Sequence, residues 1–231
     1  PSYQAVQKLY SGQLPPPLDH APRISVVICA FNAERTMDAC LASLRTLRYP
    51  HYEVVGVNDG STDRTLEIAQ RYPEVRIFSQ ENKGLSVARN VGYENATGQI
   101  IAYTDSDCVV DPDWLTYLAY KFVHSGFVAV GGPNLPPPEE SRTAACVAAS
   151  PGGPAHVLID DEVAEHIPGC NMAFLKTALE EIGGFDPIHR AAGDDVDLCW
   201  RLQNHGHAIG FSPAAMVWHF RRNTIKAYLK Q

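Results

Sequence analysis

A chain of 231 residues, 45% of them hydrophobic, is long enough for one α/β domain with a full core and too short for two large ones. Its 19 basic against 26 acidic residues leave a net charge of −7, which argues against nucleic acid or another long polyanion as partner and leaves room for a small anion neutralised by a metal. No apolar run is long enough to span a bilayer, no signal peptide is present, and six cysteines without CxxC or Cys/His spacing read as reduced, buried thiols of a cytosolic protein rather than a disulfide or zinc framework.

Residues 1–22 hold a short amphipathic piece (Val6, Leu9, Tyr10) and then Pro15, Pro16 and Pro17, a lead-in arm rather than core. Ile24 to Ala30 reads as a buried strand, and Met37, Leu41, Leu44 and Leu47 mark one face of a helix. Tyr52 to Val57 is a second strand, Asn58-Asp59-Gly60 a sharp turn, and Ser61 or Thr62 the cap of a helix carrying Leu66, Ile68 and Ala69. Val75 to Phe78 is a third strand, followed by a helix that Gly84 opens and that runs to near Gly98. A fourth strand at Ile100 completes a run of βα units, which predicts right-handed connections and parallel strands in a sheet covered on both faces.

That fourth strand runs straight into two carboxylates, Asp105 and Asp107, with Ser106 between them. Close carboxylates repel each other, and a divalent cation with a taste for hard oxygen ligands, Mg2+ or Mn2+, keeps both ionised. A solvated acidic turn fits the same residues, although the cap of the following helix is already supplied by Asp111. Open parallel sheets bind ligands at the carboxyl ends of their strands, which here carry Ala30, Phe31, Asn32 and Glu34, then Asn58 and Asp59, then Asp105 to Asp107. Neither GxGxxG nor GxxxxGK[ST] is present, so a phosphate would be held through a metal. Asp59 suits a ring N–H or ribose hydroxyl, and equally a plain Asx turn before Gly60.

Pro133 to Glu140 and Ser150 to Pro154 bracket an aperiodic connection, read as an acceptor loop or a plain insertion. Asn171 to Leu175 is a strand, Thr177 to Ile182 a helix stopped by Gly183 and Gly184, and Asp194, Asp195 and Asp197 open a helix whose dipole favours them. Three carboxylates in four residues exceed what a cap needs. Met216 to Phe220 is a strand pattern with His219 among large apolar residues, a setting more typical of a core histidine than of a ligand. The chain begins at Pro1 and closes on a basic, helical stretch over 221–231, which suggests an excerpt of a longer protein.

Five segments, VNDGSTD at 57–63, NKGLSVARN at 82–90, DSD at 105–107, GCNMAF at 169–174 and GDDVDLCWRL at 193–202, resemble in order and spacing the family 2 glycosyltransferases of the GT-A fold. The resemblance implies a single GT-A domain over 23–220, with a Rossmann-like, mostly parallel sheet flanked by helices, a nucleotide-binding half over 23–131 and an acceptor-binding, catalytic half over 132–220. It implies an inverting transfer of sugar from a nucleotide-diphosphate donor, UDP foremost, to a saccharide or lipid-linked acceptor in cell-surface or extracellular glycan synthesis. The donor would meet Ala30, Phe31, Glu34, Asp59, Asn82, Lys83, Gly84, Arg89, Asp105, Ser106, Gly169 and Asn171. Mn2+ or Mg2+ would sit on Asp105, Asp107 and, reversing the core reading, His219, and Asp195 beside Asp194 would serve as base. Ala30 departs from the Pro of many members, Asp194 replaces a usual Glu, and the QxxRW motif of processive members is absent, which implies single or few transfers. The expected location is cytoplasmic, at the inner face of a membrane, with contact made only by parts outside this chain. A sugar-phosphate nucleotidyltransferase would carry a Gly-rich, Arg-containing loop after the first strand where this chain has Asn32 to Arg35; a non-catalytic sugar-nucleotide-binding module would not need Asp195.

Overall fold

The computed structural model describes residues 15–137, 146 and 156–220. The expected amphipathic piece of the arm, most of the Pro- and Gly-bracketed connection and the expected C-terminal helix lie outside the described residues. The strands are β1 Ile24–Ala30, β2 Tyr52–Asp59, β3 Val75–Gln80, β4 Ile100–Asp105, β5 Cys108–Val110, β6 Ala129–Gly131, β7 Asn134–Leu135, β8 Val157–Leu158, β9 Val163–His166, β10 Met172–Leu175, β11 Ile209–Phe211 and β12 Val217–His219. The helices are α1 Met37–Leu44, α2 Thr65–Ala69, α3 Leu85–Glu94, α4 Trp114–His124, α5 Lys176–Glu181 and α6 Asp194–Asn204.

Nine strands form one sheet in the order β3-β2-β1-β4-β10-β6-β11-β9-β8, and β5-β12-β7 form a second, small sheet. The first four strands are parallel, as the βα repeat requires. The sheet is mostly parallel, as expected, and its exceptions are β10 and β9, which run against their neighbours. The cause is local, because β10 does not belong to a strand-helix-strand crossover but enters between β4 and β6 from the late half of the chain.

Side chains alternate along β1 between two cores, as the pleat demands. Ile24, Val26, Ile28 and Ala30 pack with Met37, Leu41, Ile68, Trp114 and Leu115 on one face. Val27 points to the other, among Val55, Ile101, Tyr103, Phe174, Phe185, Leu198 and Leu202. With both faces covered, β1 must be apolar at nearly every position, and its sequence ISVVICA is. Full burial of each such aliphatic side chain stabilises the fold by roughly 1.5–3 kcal/mol.

Three local expectations shift. Ser61 and Thr62 do not cap α2: the Ser61 Oγ accepts the Asn32 N–H at 3.0 Å, the Thr62 N–H goes to Asn32 Oδ1 at 2.8 Å, and Asp63 Oδ1 receives the Thr65 N–H at 3.0 Å. The loop after β1 is thereby fastened to the loop after β2, and Asn32 takes a left-handed φ of 52°, which asparagine tolerates. α3 ends at Glu94 rather than near Gly98, whose N–H is bonded to Ser25 Oγ at 2.8 Å. The Asp111 carboxylate accepts the Asp113 N–H at 2.9 Å, and Asp113 stands at the cap position of α4.

Candidate active site

The chain moves outward from β1 to β2 to β3 and then, through α3, crosses back to place β4 on the other side of β1. Strand order thus reverses between β1 and β4, and the crevice at such a reversal, outside the carboxyl ends of the strands, is where open α/β sheets bind ligands. A cleft of about 400 Å³ opens there, lined by Cys29, Ala30 and Phe31 at the end of β1, Asp59 at the end of β2, Asn82, Gly84, Leu85 and Ala88 where α3 begins, and Arg190 and Ala191. Phe31 is 52% exposed beside it, an apolar ring left in water at the mouth of a concave site.

Asp59 is buried and forms the hub of one wall. Its carboxylate accepts from Gln80 Nε2 at 2.7 Å, the Lys83 N–H at 2.9 Å and the Gly84 N–H at 3.0 Å, while its carbonyl accepts from Asn82 Nδ2 at 3.1 Å. Gly84 carries φ 96°, and a Cβ there would press on the Arg190 backbone at 2.9 Å, so only glycine lets the 189–191 loop close over the start of α3. The Leu85 N–H and Ser86 Oγ bind that loop through the carbonyls of Arg190 and His189, at 2.8 and 2.6 Å.

Asp105 ends β4, while Asp107 follows in the turn and precedes β5. Antiparallel pairing of β5 with β12 sets Cys108 opposite His219, and the Phe220 N–H reaches the Asp107 carbonyl at 2.9 Å. That register brings His219 Nε2 to 3.3 Å from Asp107 Oδ1. Asp105, Asp107 and His219 offer ligand atoms all within 4.8 Å of one another. Two hard carboxylate oxygens and an imidazole fit Mn2+ or Mg2+. Burial raises Asp105 to about 7, Arg89 opposing and Asp107 adding to the push, which is the behaviour of a carboxylate short of positive charge. Burial would weaken His219 as a base, but Asp107 and Cys170 outweigh it and raise the imidazole to about 10. Without a metal this ring is therefore a cation at neutral pH, not the neutral ligand a metal requires.

Arg89 on α3 is buried at the centre of the site. It forms a close ion pair with the equally buried Asp194, reaches Asp105 at 3.3 Å and donates to the Gly169 carbonyl at 3.2 Å. Burial alone would disfavour its charge, but Asp194 and then Asp105 hold it firmly protonated. Gly169 admits this approach, since a Cβ would meet Arg89 Nη2 at 2.7 Å. The Gly169 N–H points the other way, to Asp195 Oδ2 at 2.8 Å. Gly193, at φ 87°, turns the chain into α6 so that Asp194 faces Arg89 and Asp195 is left half-buried. Asp197 turns back on its own helix to Arg201 at 2.8 Å.

Asn171 and Glu34, both expected at the donor, are engaged with the protein itself. Asn171 is fully buried and spends its amide on the fold: Nδ2 donates to the Pro133 and Ala215 carbonyls at 2.9 and 2.8 Å, and Oδ1 accepts from Trp114 Nε1 at 2.8 Å. Glu34 pairs with Arg64 at 3.3 Å and does not line the cleft. Ala30, Phe31, Asp59, Asn82 and Gly84 do line it; Lys83 contributes its backbone, and Ser106 occupies the turn between the two aspartates. Arg190 and Ala191 escaped the sequence reading, since nothing in IHRAAG has a period or a chemical pattern; only the glycine at 84 hinted that something packs against it. Cys170 and Cys108 escaped as well: Cys170 is drawn down to about 5 by its bond with Cys108 and by His219, against burial.

Residues 25–183 match the family model described as glycosyl transferase family 2. Among curated relatives, the chain is 25% identical over 230 residues to the poly-beta-1,6-N-acetyl-D-glucosamine synthase of Staphylococcus aureus, covering 93% of this chain and 54% of that protein. It is 44% identical over 94 residues to the uncharacterized glycosyltransferase YibD of Escherichia coli, covering 39% of this chain and 27% of that protein. The chain thus spans about half the length of the first of these relatives and less of the second. Among solved structures, it superposes on a Pyrobaculum calidifontis mannosyltransferase in complex with GDP-Man and Mn2+ with a TM-score of 0.70 at 22% identity, covering 94% of this chain and 63% of the other. Staphylococcus aureus TarS 1-349 in complex with UDP-GlcNAc gives 0.69 at 19% identity, covering 87% and 59%. At such identities the likeness establishes the GT-A architecture.

Proposed function

The chain belongs to glycosyl transferase family 2 and is a glycosyltransferase, and from that premise we propose an inverting, metal-dependent transfer of one or a few sugars from a nucleotide-diphosphate sugar, UDP foremost, to a hydroxyl of a saccharide or lipid-linked acceptor. The observation that carries this reading is the convergence of Asp105, Asp107 and His219 at the end of β4 beside the cleft at the sheet reversal. Mn2+ or Mg2+ bound there would neutralise the donor diphosphate and support its departure. The neighbouring structure with GDP-Man and Mn2+ supplies the precedent for such a pairing.

Within this reading the chain's residues divide the work. Phe31 offers a face for the nucleobase, and the Asp59 hub fixes the Asn82 to Gly84 wall against which base and ribose rest. Arg89 holds Asp194 and Asp105 in place, with Gly169 as its stop. Asp195 accepts the proton of the attacking hydroxyl: it is anchored by the Gly169 N–H yet still half-open, whereas Asp194 is closed off by Arg89. Residues 23–220 act as one catalytic domain, 132–220 receiving the acceptor, and the location is cytoplasmic, at the inner face of a membrane reached only through parts outside this chain, in glycan synthesis at the cell surface. Among the described residues no helix is long and apolar enough to cross a membrane.

The test is a donor screen that follows release of each nucleoside diphosphate with Mn2+, Mg2+ or chelator. UDP released from a UDP-sugar only when metal is present is the expected result. Release that chelator leaves unchanged overturns the metal requirement, and release from GDP-sugars alone overturns the base.

A further inference from the structure

His219 belongs to two clusters at once. Besides Asp105 and Asp107, it faces Cys108 and Cys170, and the ligand atoms of this second trio also lie within 4.8 Å of one another. Both thiols are fully buried, and the fold builds the trio from three separate places: Cys108 and His219 sit in register on the antiparallel pair β5 and β12, and Cys170 precedes β10. Asp107 Oδ1 stands 3.9 Å from Cys108 Sγ and 3.3 Å from His219 Nε2, supplying a fourth donor. Asn134 Nδ2 donates to Cys170 Sγ at 3.4 Å, an outer bond of the kind that orients a metal ligand.

We propose that Cys108, Cys170, His219 and Asp107 form a tetrahedral site for a borderline-soft divalent cation, Zn2+ foremost, distinct in ligand chemistry from the oxygen-rich donor-metal position and mutually exclusive with it. Two sulfurs, one imidazole nitrogen and one carboxylate oxygen are a ligand set that selects zinc over magnesium or manganese. Ligand atoms around zinc stand about 3.3–3.8 Å apart for bond lengths of about 2.0–2.3 Å, so the trio, within 4.8 Å of one another, must draw in by up to about 1 Å and Asp107 must swing in with it. The cysteines bind as thiolates and His219 as neutral imidazole, so the protons these groups still hold pass to solvent on binding. His219 and Asp107 cannot serve both ions, so zinc in the thiolate site withdraws two of the three ligands expected at the donor diphosphate. The exclusion rests on the donor-metal reading above, whereas the zinc site itself does not.

The test uses Co2+ as probe on the full, reduced chain. The expected result is one Co2+ per chain with a sulfur-to-cobalt charge-transfer band and the visible bands of a tetrahedral ion, both erased by one equivalent of Zn2+. Cys108→Ser and Cys170→Ser should each weaken the charge-transfer band, and the double variant should lose it, while Cys146→Ser retains it. Should the cysteine variants fail to fold, zinc-dependent protection of two thiols from a disulfide reagent in the parent protein reads the same site. Absence of the charge-transfer band in the parent, or its survival in the double variant, overturns the proposal. Calorimetry with UDP and Mn2+ on apo and zinc-loaded protein separates the two readings. Loss of UDP binding on zinc loading supports the exclusion, and unchanged binding overturns it. A cobalt band in a protein that binds no nucleotide would sink the donor reading and leave the zinc site standing.

Discussion

Asp194 and Asp195 are chemically identical neighbours, and burial alone separates their roles. Asp194 is locked by Arg89 in a pair from which water is excluded, and removing one member of such a pair leaves the other as an uncompensated buried charge. Asp194→Asn should therefore cost about 3 kcal/mol in urea unfolding, the lower end of the usual range because Asp105 still faces Arg89. Asp195→Asn should leave stability nearly unchanged and lower turnover by about a hundred- to ten-thousand-fold with donor affinity intact. Both quantities are read from one preparation of each variant. Parental turnover in Asp195→Asn beside collapse in a folded Asp194→Asn would move the base by one residue. Chain order could place these aspartates at a helix start but could not rank them, because the ranking depends on Arg89, which comes 105 residues earlier.

At the scale of elements, the parallel sheet is held at the end away from the cleft by Glu53 on β2. Its carboxylate accepts from Ser25 Oγ at 2.6 Å on β1, from the Thr97 N–H and Oγ1 at 2.7 Å, and from Arg76 Nη1 at 2.8 Å on β3. Burial would raise its pKa, but these bonds outweigh it and lower the group to about 2. The stabilisation is thus complete above the unfolded value of about 4.3 and is lost as pH falls toward 2, on the order of 2–3 kcal/mol. Urea midpoints at pH 7 and pH 3 should differ less in Glu53→Gln than in the parent; an equal difference would remove Glu53 from the acid sensitivity. On α3, Gly92 lies against β1, and a methyl there would overlap the Val27 side chain. Gly92→Ala gains about 1 kcal/mol of helix propensity and loses about 1–3 to overpacking, so a net loss of stability is expected, relieved by Val27→Ala. A stabilised Gly92→Ala would show that the two elements separate freely. These elements were legible in sequence for a physical reason. β1 to β4 and the helices between them are long enough for apolar runs and a helical period to register. β6 to β9 and β11 have two to four residues each, too few for any period, and, the local pairing of β8 with β9 apart, exist through pairing with distant strands. The same limit hid the thiol pair: Cys108 and Cys170 have no metal-ligand spacing and meet only because β10, which Cys170 precedes, lies beside β4, which leads into Cys108.

At the scale of the whole molecule, the candidate donor site straddles the two sheets, Asp105 ending β4 in the large sheet while Asp107 and His219 belong with β5 and β12 in the small one. A ligand held by all three ties the sheets together, so binding should register as global stability. The charges say which ligand will do so. Asp105 and Asp107 repel a bare diphosphate, and a cation alone meets only part of its preferred ligand shell, so nucleotide and cation should each stabilise little separately and strongly together. At a hundredfold excess over the dissociation constant the gain is about 2.7 kcal/mol, which for a chain of this size is a rise in Tm of roughly 5–11 °C. Thermal unfolding with UDP, with Mn2+ and with both should show that synergy in the parent and lose it in Asp107→Ala. Equal stabilisation by UDP without Mn2+, or an undiminished joint shift in Asp107→Ala, would take the cation out of the site. A joint shift produced by a different nucleoside diphosphate but not by UDP would keep the cation and both sheets in the argument and change only the base.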